Sequence, residues 1–312
     1  MLMGRQLDDV PEAKTGRWEL LRALGAVADS PDAARAVTPA LGLLPLTDAD
    51  HTDAFVLNAP PYAAIYLGPD GALGGEGADR VAGFWRALAL TPPSEPDHLS
   101  ALLGLYASLG EAAEDSSRET TAAALTRSQT ALLAEHLWPW LPAYLDAITD
   151  LPLAPLTAWA GLTSQALTAE LTRHTASPAK HPLPLALREA PAPITAEGNV
   201  RGLVDALTTP VISGIILTRH TVALGAGQAQ VGHRIGERRF TLRAMLEQDP
   251  SATLGWLAQE ARRWQARHTT RATSLDPIAH PDSAAHPDPT SEWWADRAAH
   301  TGALLEHASQ VR

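Results

Sequence analysis

Glu95, Asp97 and His98 fall within four residues at the head of a leucine-rich periodic segment, EPDHLSALLGLYASL (95–109). Two carboxylates beside an imidazole can serve general acid–base catalysis, provided a third group and a pocket orient them. Carboxylates also bind guanidinium groups through charge-assisted hydrogen bonds. A third use is structural: an Asp just ahead of a helix accepts backbone N–H bonds and complements the helix dipole. The spacing favours capping by Asp97, and the neighbouring sequence shows no partner that would make a catalytic set.

Other chemistry-bearing groups are looser. Tyr62, Tyr66, Phe84 and Trp85 surround a Pro/Gly-punctuated loop, either as core or as the wall of a groove for an apolar peptide face. His136, Trp138 and Trp140 surround Pro139. Two rings at two-residue spacing cannot share a helix face, so one is expected inward and the other against a neighbour or ligand. His268, His280, His286, His300 and His307 fit no tight metal motif, and no metal is expected. GAGQAQVG (225–232) lacks both nucleotide-loop spacings and is expected to follow a helix, so no phosphate or other cofactor is expected. The arginines of the adjacent GERRF are expected to form salt bridges or a partner surface. GxSxG and HExxH are absent.

The chain around these groups has 312 residues, enough for a sizeable core, and is rich in Ala and Leu but poor in Phe, which favours helix over sheet. It has no cysteine, which removes disulfides, thiolate metal sites and cysteine nucleophiles. Its formal charge of −11 argues against nucleic acid as a partner. Arginines nevertheless outnumber acids between Val231 and Arg271, so the acidic part is the N-terminal two thirds, which suits a cationic peptide. No segment reads as a signal peptide or as long enough to span a bilayer, so a cytoplasmic location without membrane insertion is expected.

Periodicity predicts helices over 15–28, from Ser30, over 79–90, from Asp97, over 117–134, 153–175, 198–207, 209–223, 236–248, 251–268 and 291–310, with a short one within 47–58. The stretch 134–148 is expected to kink at Pro139 and Pro142. The expected organisation is a disordered N-terminus (1–14), a helical domain (15–176), a Pro-rich linker (177–197), a helical extension (198–268), a flexible linker (269–290) and a final helix (291–312).

PPYAAIYLGPDGALGGEGADRVAGFWRALAL, then EPDHLSALLGLYASL, then EHLWPWLPAYLDAI resembles, in content and order, the TorD/DmsD family of redox-enzyme maturation chaperones. The resemblance covers roughly 15–175, and E-P-D-H-L is its most specific element. It implies an all-α helical bundle without catalysis or cofactor. It also implies binding of the twin-arginine leader and apo catalytic subunit of a molybdenum-cofactor oxidoreductase, by a monomer or homodimer. Glu95, Pro96, Asp97 and His98 match the family's peptide-binding hinge, and Tyr62, Tyr66 and Trp85 its aromatic groove. His136, Trp138 and Trp140 are candidate client contacts; here HLWPW puts Trp138 one position earlier than the family's H-L-x-x-W, and Trp140 matches better. Two other readings stand beside this one: a helical interaction adaptor, and a hydrolase using Asp97 and His98.

Overall fold

The computed structural model describes residues 14–174, 183–195, 199–232, 236–274 and 288–310. The expected disordered N-terminus, most of the Pro-rich linker's first half, and His280 and His286 of the second linker lie outside the described residues. Within them the fold is all-α, as expected, with helices and no strand.

In chain order the helices are α1 (Lys14–Val27), α2 (Pro31–Val37), α3 (Asp48–Thr52), α4 (Ala63–Leu67), α5 (Gly75–Ala87), α6 (Leu99–Asp115), α7 (Glu119–Leu132), α8 (Leu141–Thr149), α9 (Ala154–His174), α10 (Leu185–Arg188), α11 (Val200–Leu207), α12 (Pro210–Ser213), α13 (Arg219–Gln228), α14 (Arg238–Gln248), α15 (Pro250–Ser274) and α16 (Pro289–Gln310). Local signals start several of them. Ser30 caps α2 with Pro31 in its first turn, and Thr47 and Asp50 form a reciprocal capping box on α3.

α1 packs on α6, α6 on α7, and α8 on α9. The α1–α6 contact is close enough to need glycine at position 110, where a Cβ would stand 2.1 Å from the Trp18 ring. α15 and α16 form a long antiparallel pair on which α12, α13 and α14 pack.

Four expectations are corrected. The helix expected over 209–223 breaks at Gly214, which takes a positive φ of 74°, and an extended stretch leads to Thr218, which caps α13. GAGQ is the end of α13 rather than a loop, because Gly225 lies flush against Trp256. α15 runs on to Ser274, into the expected flexible linker. Pro142 does not kink a helix but sits in the first turn of α8, where a missing N–H costs nothing. The break at Pro139 comes with a wide π turn over Leu133–Leu137, closed by Trp138 N–H on Leu133 O at 2.8 Å.

Of the GERRF arginines, Arg239 makes the expected kind of ion pair, with Asp205 at 3.9 Å, and both arginines also bond neutral oxygens. Arg238 donates to Leu217 O and Thr208 O at 3.1 and 3.3 Å, and Arg239 Nε to Thr208 Oγ1 at 3.0 Å. Their bonds to Thr208 serve the carboxyl end of α11, where cations are favourable, and the bond to Leu217 ties Arg238 to the stretch before α13.

One continuous buried cluster spans both halves of the chain. Trp294 Nε1 donates to Pro139 O at 2.7 Å, and Trp138 Nε1 to Asp288 at 3.2 Å. Arg267 grips Asp150 with both terminal nitrogens, at 2.8 and 2.6 Å; Arg263 adds two more bonds, and Arg271 binds Asp146. Burial pushes the Asp150 carboxyl up, and the two arginines more than reverse this, holding it below its ordinary value.

His268 lies between Trp264 and Trp294, with ring centroids 5.5 and 5.9 Å away. Burial first, and Arg271 second, lower its pKa to about 3. Burial with Arg80 nearby brings His136 to about 4. Both are neutral in the fold yet titrate near 6.5 when unfolded, so their contribution is complete above that pH and is lost as pH falls through it. Urea midpoints should fall between pH 7 and pH 5, each histidine contributing a loss on the order of 2 kcal/mol by pH 5. A His136→Gln variant should show a flatter pH dependence, and an unchanged slope would contradict the assignment.

Candidate functional site

The site is built where two chain segments cross. Residues 61–64 and 97–99 pair as a single antiparallel bridge between Tyr62 and His98. Leu99 N–H donates to Pro61 O at 2.9 Å, and Ala63 N–H to Asp97 O at 3.1 Å. The Asp97 carboxylate accepts from Ala64 N–H at 3.0 Å. Asp97 therefore caps α4, across the chain, and not α6 as its spacing suggests.

His98 caps α6. Its Nδ1 accepts from Ser100 N–H at 3.2 Å and lies 2.7 Å from Ser100 Oγ, which donates to Asp29 at 2.8 Å. Burial raises the Asp97 pKa against its bonds from backbone N–H groups, and burial lowers that of His98. Both side chains serve helix starts, Asp97 through a carboxylate oxygen and His98 through Nδ1.

The remaining expected residues separate by depth. Glu95 is exposed, and Tyr62 and Trp85 are half-buried. Tyr62 meets the His98 ring edge-on at 4.7 Å, and burial together with a hydrogen bond to Glu95 pushes its hydroxyl up to about 12. Trp85 Nε1 donates to the carbonyl of buried Pro96 at 3.3 Å. Exposed Leu90 follows on, its N–H bonded to Trp85 O. Asp29, also exposed, adds a second carboxylate near His98. Nothing in the sequence marks Asp29, because its place depends on α1 packing against α6.

Tyr66 and Trp140 are framework. They are 2% and 0% exposed and stack on each other at 5.3 Å, with Tyr144 edge-on to both. Tyr66 OH donates to Pro60 O at 3.0 Å, and Trp140 Nε1 to His136 O at 2.8 Å. His136 lies against Phe84 at 4.8 Å. Trp138 points away, toward Asp288 ahead of α16. The expected groups thus form a surface of Glu95, Tyr62 and Trp85, with Asp97, His98, Tyr66 and Trp140 supporting it.

Asp97→Ala should cost about 1–2 kcal/mol in urea denaturation, through the lost cap on α4, whereas Asp97→Asn, which keeps an acceptor, should cost a fraction of that. Equal losses would contradict the capping role.

Among the described residues no group of three or more His, Asp or Glu side chains is placed to hold a metal ion, and no helix is long and apolar enough to cross a membrane. Comparison with protein-family models finds a match to the nitrate reductase delta subunit family over residues 18–146. No curated protein and no solved structure matches the chain. The matched segment runs from Trp18 in α1 to Asp146 in α8 and contains every expected site residue. The family is one of molybdoenzyme maturation chaperones and is not catalytic. Residues 18–146 thus match the model of the nitrate reductase delta subunit family, the NarJ/TorD-type chaperones of redox-enzyme maturation.

Proposed function

We propose that this protein binds the twin-arginine leader of a molybdenum-cofactor oxidoreductase in the cytoplasm. It retains the apo catalytic subunit until cofactor is inserted and export is allowed. The observation that carries this reading is the exposed Glu95 carboxylate, seated on a braced turn beside half-buried Tyr62 and Trp85, within the family segment.

The chemistry is complementary. A leader of this kind carries an arginine pair beside an apolar, helix-forming stretch. Glu95, with Asp29 nearby, offers acceptors for the guanidinium forks, whose planar donors match carboxylates better than an ammonium does. Tyr62, Trp85 and Leu90 offer apolar area for the helical stretch. Asp97, His98, Tyr66 and Trp140 act by holding these groups in place. Exposed charge pairs weaken with salt, so binding should too. Ordering the peptide opposes binding, and micromolar affinity is the expected range.

The test is titration of a labelled synthetic leader into the full chain. Glu95→Gln should weaken binding about three- to tenfold, as loss of an exposed charge-assisted contact would, and should leave the helical circular dichroism intact. A leader with a Lys–Lys pair should bind more weakly than one with Arg–Arg. Unchanged affinity in both Glu95→Gln and Asp29→Asn would sink the reading. Removing Asp97 or His98 is less informative, because each caps a helix.

A further inference from the structure

The groups of the Glu95 surface touch one another in a fixed order. Asp29 accepts from Ser100 Oγ at 2.8 Å, and Ser100 Oγ lies 2.7 Å from His98 Nδ1. The His98 ring meets Tyr62 at 4.7 Å, and the Tyr62 hydroxyl is bonded to Glu95. Pro96, the next residue, accepts from Trp85, whose own carbonyl accepts from Leu90 N–H at 3.0 Å. Contact by contact, a track leads from Asp29 past Glu95 to Trp85 and Leu90. The two exposed carboxylates keep separate neighbourhoods along it. Asp29 acts more strongly than Glu95 on His98, and Glu95 more strongly than Asp29 on the Tyr62 hydroxyl.

The ends of the track differ. Beyond Glu95 it turns apolar, with half-buried Trp85 and Leu90, which is 43% exposed. Beyond Asp29 comes α2, which turns Asp32 and Arg35 outward as an ion pair at 2.6 Å. Asp29 uses Oδ1 for Ser100, and its Oδ2 has no hydrogen-bond partner among the described residues.

A leader is asymmetric as well, because its charged residues precede its apolar stretch. Adjacent residues of an extended chain point to opposite sides. Two consecutive arginines therefore reach apart, and suit two separated carboxylates better than one.

We propose that the leader lies along this track in one direction, with its first arginine on Asp29 and its second on Glu95. The residues just after the pair then cover Trp85, and the apolar stretch continues toward Leu90. The proposal rests on the leader-binding reading and adds to it a register and a direction.

The test is a set of double-mutant cycles on the full chain with labelled synthetic leaders carrying Arg–Arg, Gln–Arg or Arg–Gln. Against the unaltered chain, each Gln leader should bind about three- to tenfold more weakly than Arg–Arg. In Asp29→Asn, which keeps an acceptor for Ser100, Gln–Arg should bind as Arg–Arg does, while Arg–Gln remains weaker. In Glu95→Gln the pattern should exchange. A leader with its apolar stretch moved ahead of the arginine pair should bind about threefold or more weakly than the parent. Both variants alter exposed side chains and should keep the thermal melt.

Coupling of the first arginine to Glu95 and of the second to Asp29 would overturn the proposal by reversing the direction. Equal coupling of each arginine to both carboxylates, or indifference to the position of the apolar stretch, would also overturn it. Each of these outcomes leaves leader binding itself intact. Absence of saturable binding by any of the leaders would instead remove the leader-binding reading, and this proposal with it, so the two failures are distinguishable.

Discussion

Asp97 takes the first two N–H groups of α4 with its backbone and side-chain oxygens, while the next residue, His98, caps α6. Two helix starts therefore share two adjacent residues. This shared cap fixes where the loop before α4 crosses the turn before α6. Tyr62 is then set against His98, Glu95 is held outward, and Trp85 is tied to Pro96. A side chain on a free loop would have to be ordered when a ligand arrives, at a conformational cost; this turn is ordered beforehand. The aromatic stack of Tyr66, Trp140 and Tyr144 supports it from within the core.

The C-terminal half belongs to the same core. The break at Pro139 leaves a carbonyl that a helix would have used otherwise, and Trp294 of α16 satisfies it. Asp146 and Asp150, on and just after α8, are matched by arginines on one face of α15. Removing one partner of such a pair strands the other charge, so the two halves depend on each other for more than apolar burial.

Much of this was legible from residue order. The periodicity of Trp18, Leu21 and Leu24, or of Leu99, Leu102, Leu103 and Tyr106, gave helices with the right buried faces, because local spacing decides which side chains share a face. Capping by Asp97 was recognised, but on the wrong helix: a side chain's reach across 33 residues is set by tertiary packing, which no local pattern records. The aromatics near Tyr62 were grouped together, yet Tyr66 and Trp140 stack in the interior and only Tyr62 and Trp85 reach the surface. Asp29 carried no signal, since its role follows from the packing of α1 on α6. The broken stretch after α12 and the continuation of α13 through GAGQ were missed for a related reason. Gly214 breaks its helix with a positive φ where the backbone of α16 comes close, whereas Gly225 stays helical and is there for close approach to Trp256.

The central claim is that a leader peptide lies on the surface formed by Tyr62, Trp85 and Glu95. Its most direct test is site-specific photo-crosslinking, with a benzophenone amino acid placed at position 85 of the full chain and, in parallel, at the exposed position 240 of α14. With a synthetic twin-arginine leader, position 85 should crosslink to the peptide near its arginine pair, and excess unlabelled leader should suppress the product, while position 240 should give none. Crosslinks that form at position 240 but not at position 85 would contradict the account.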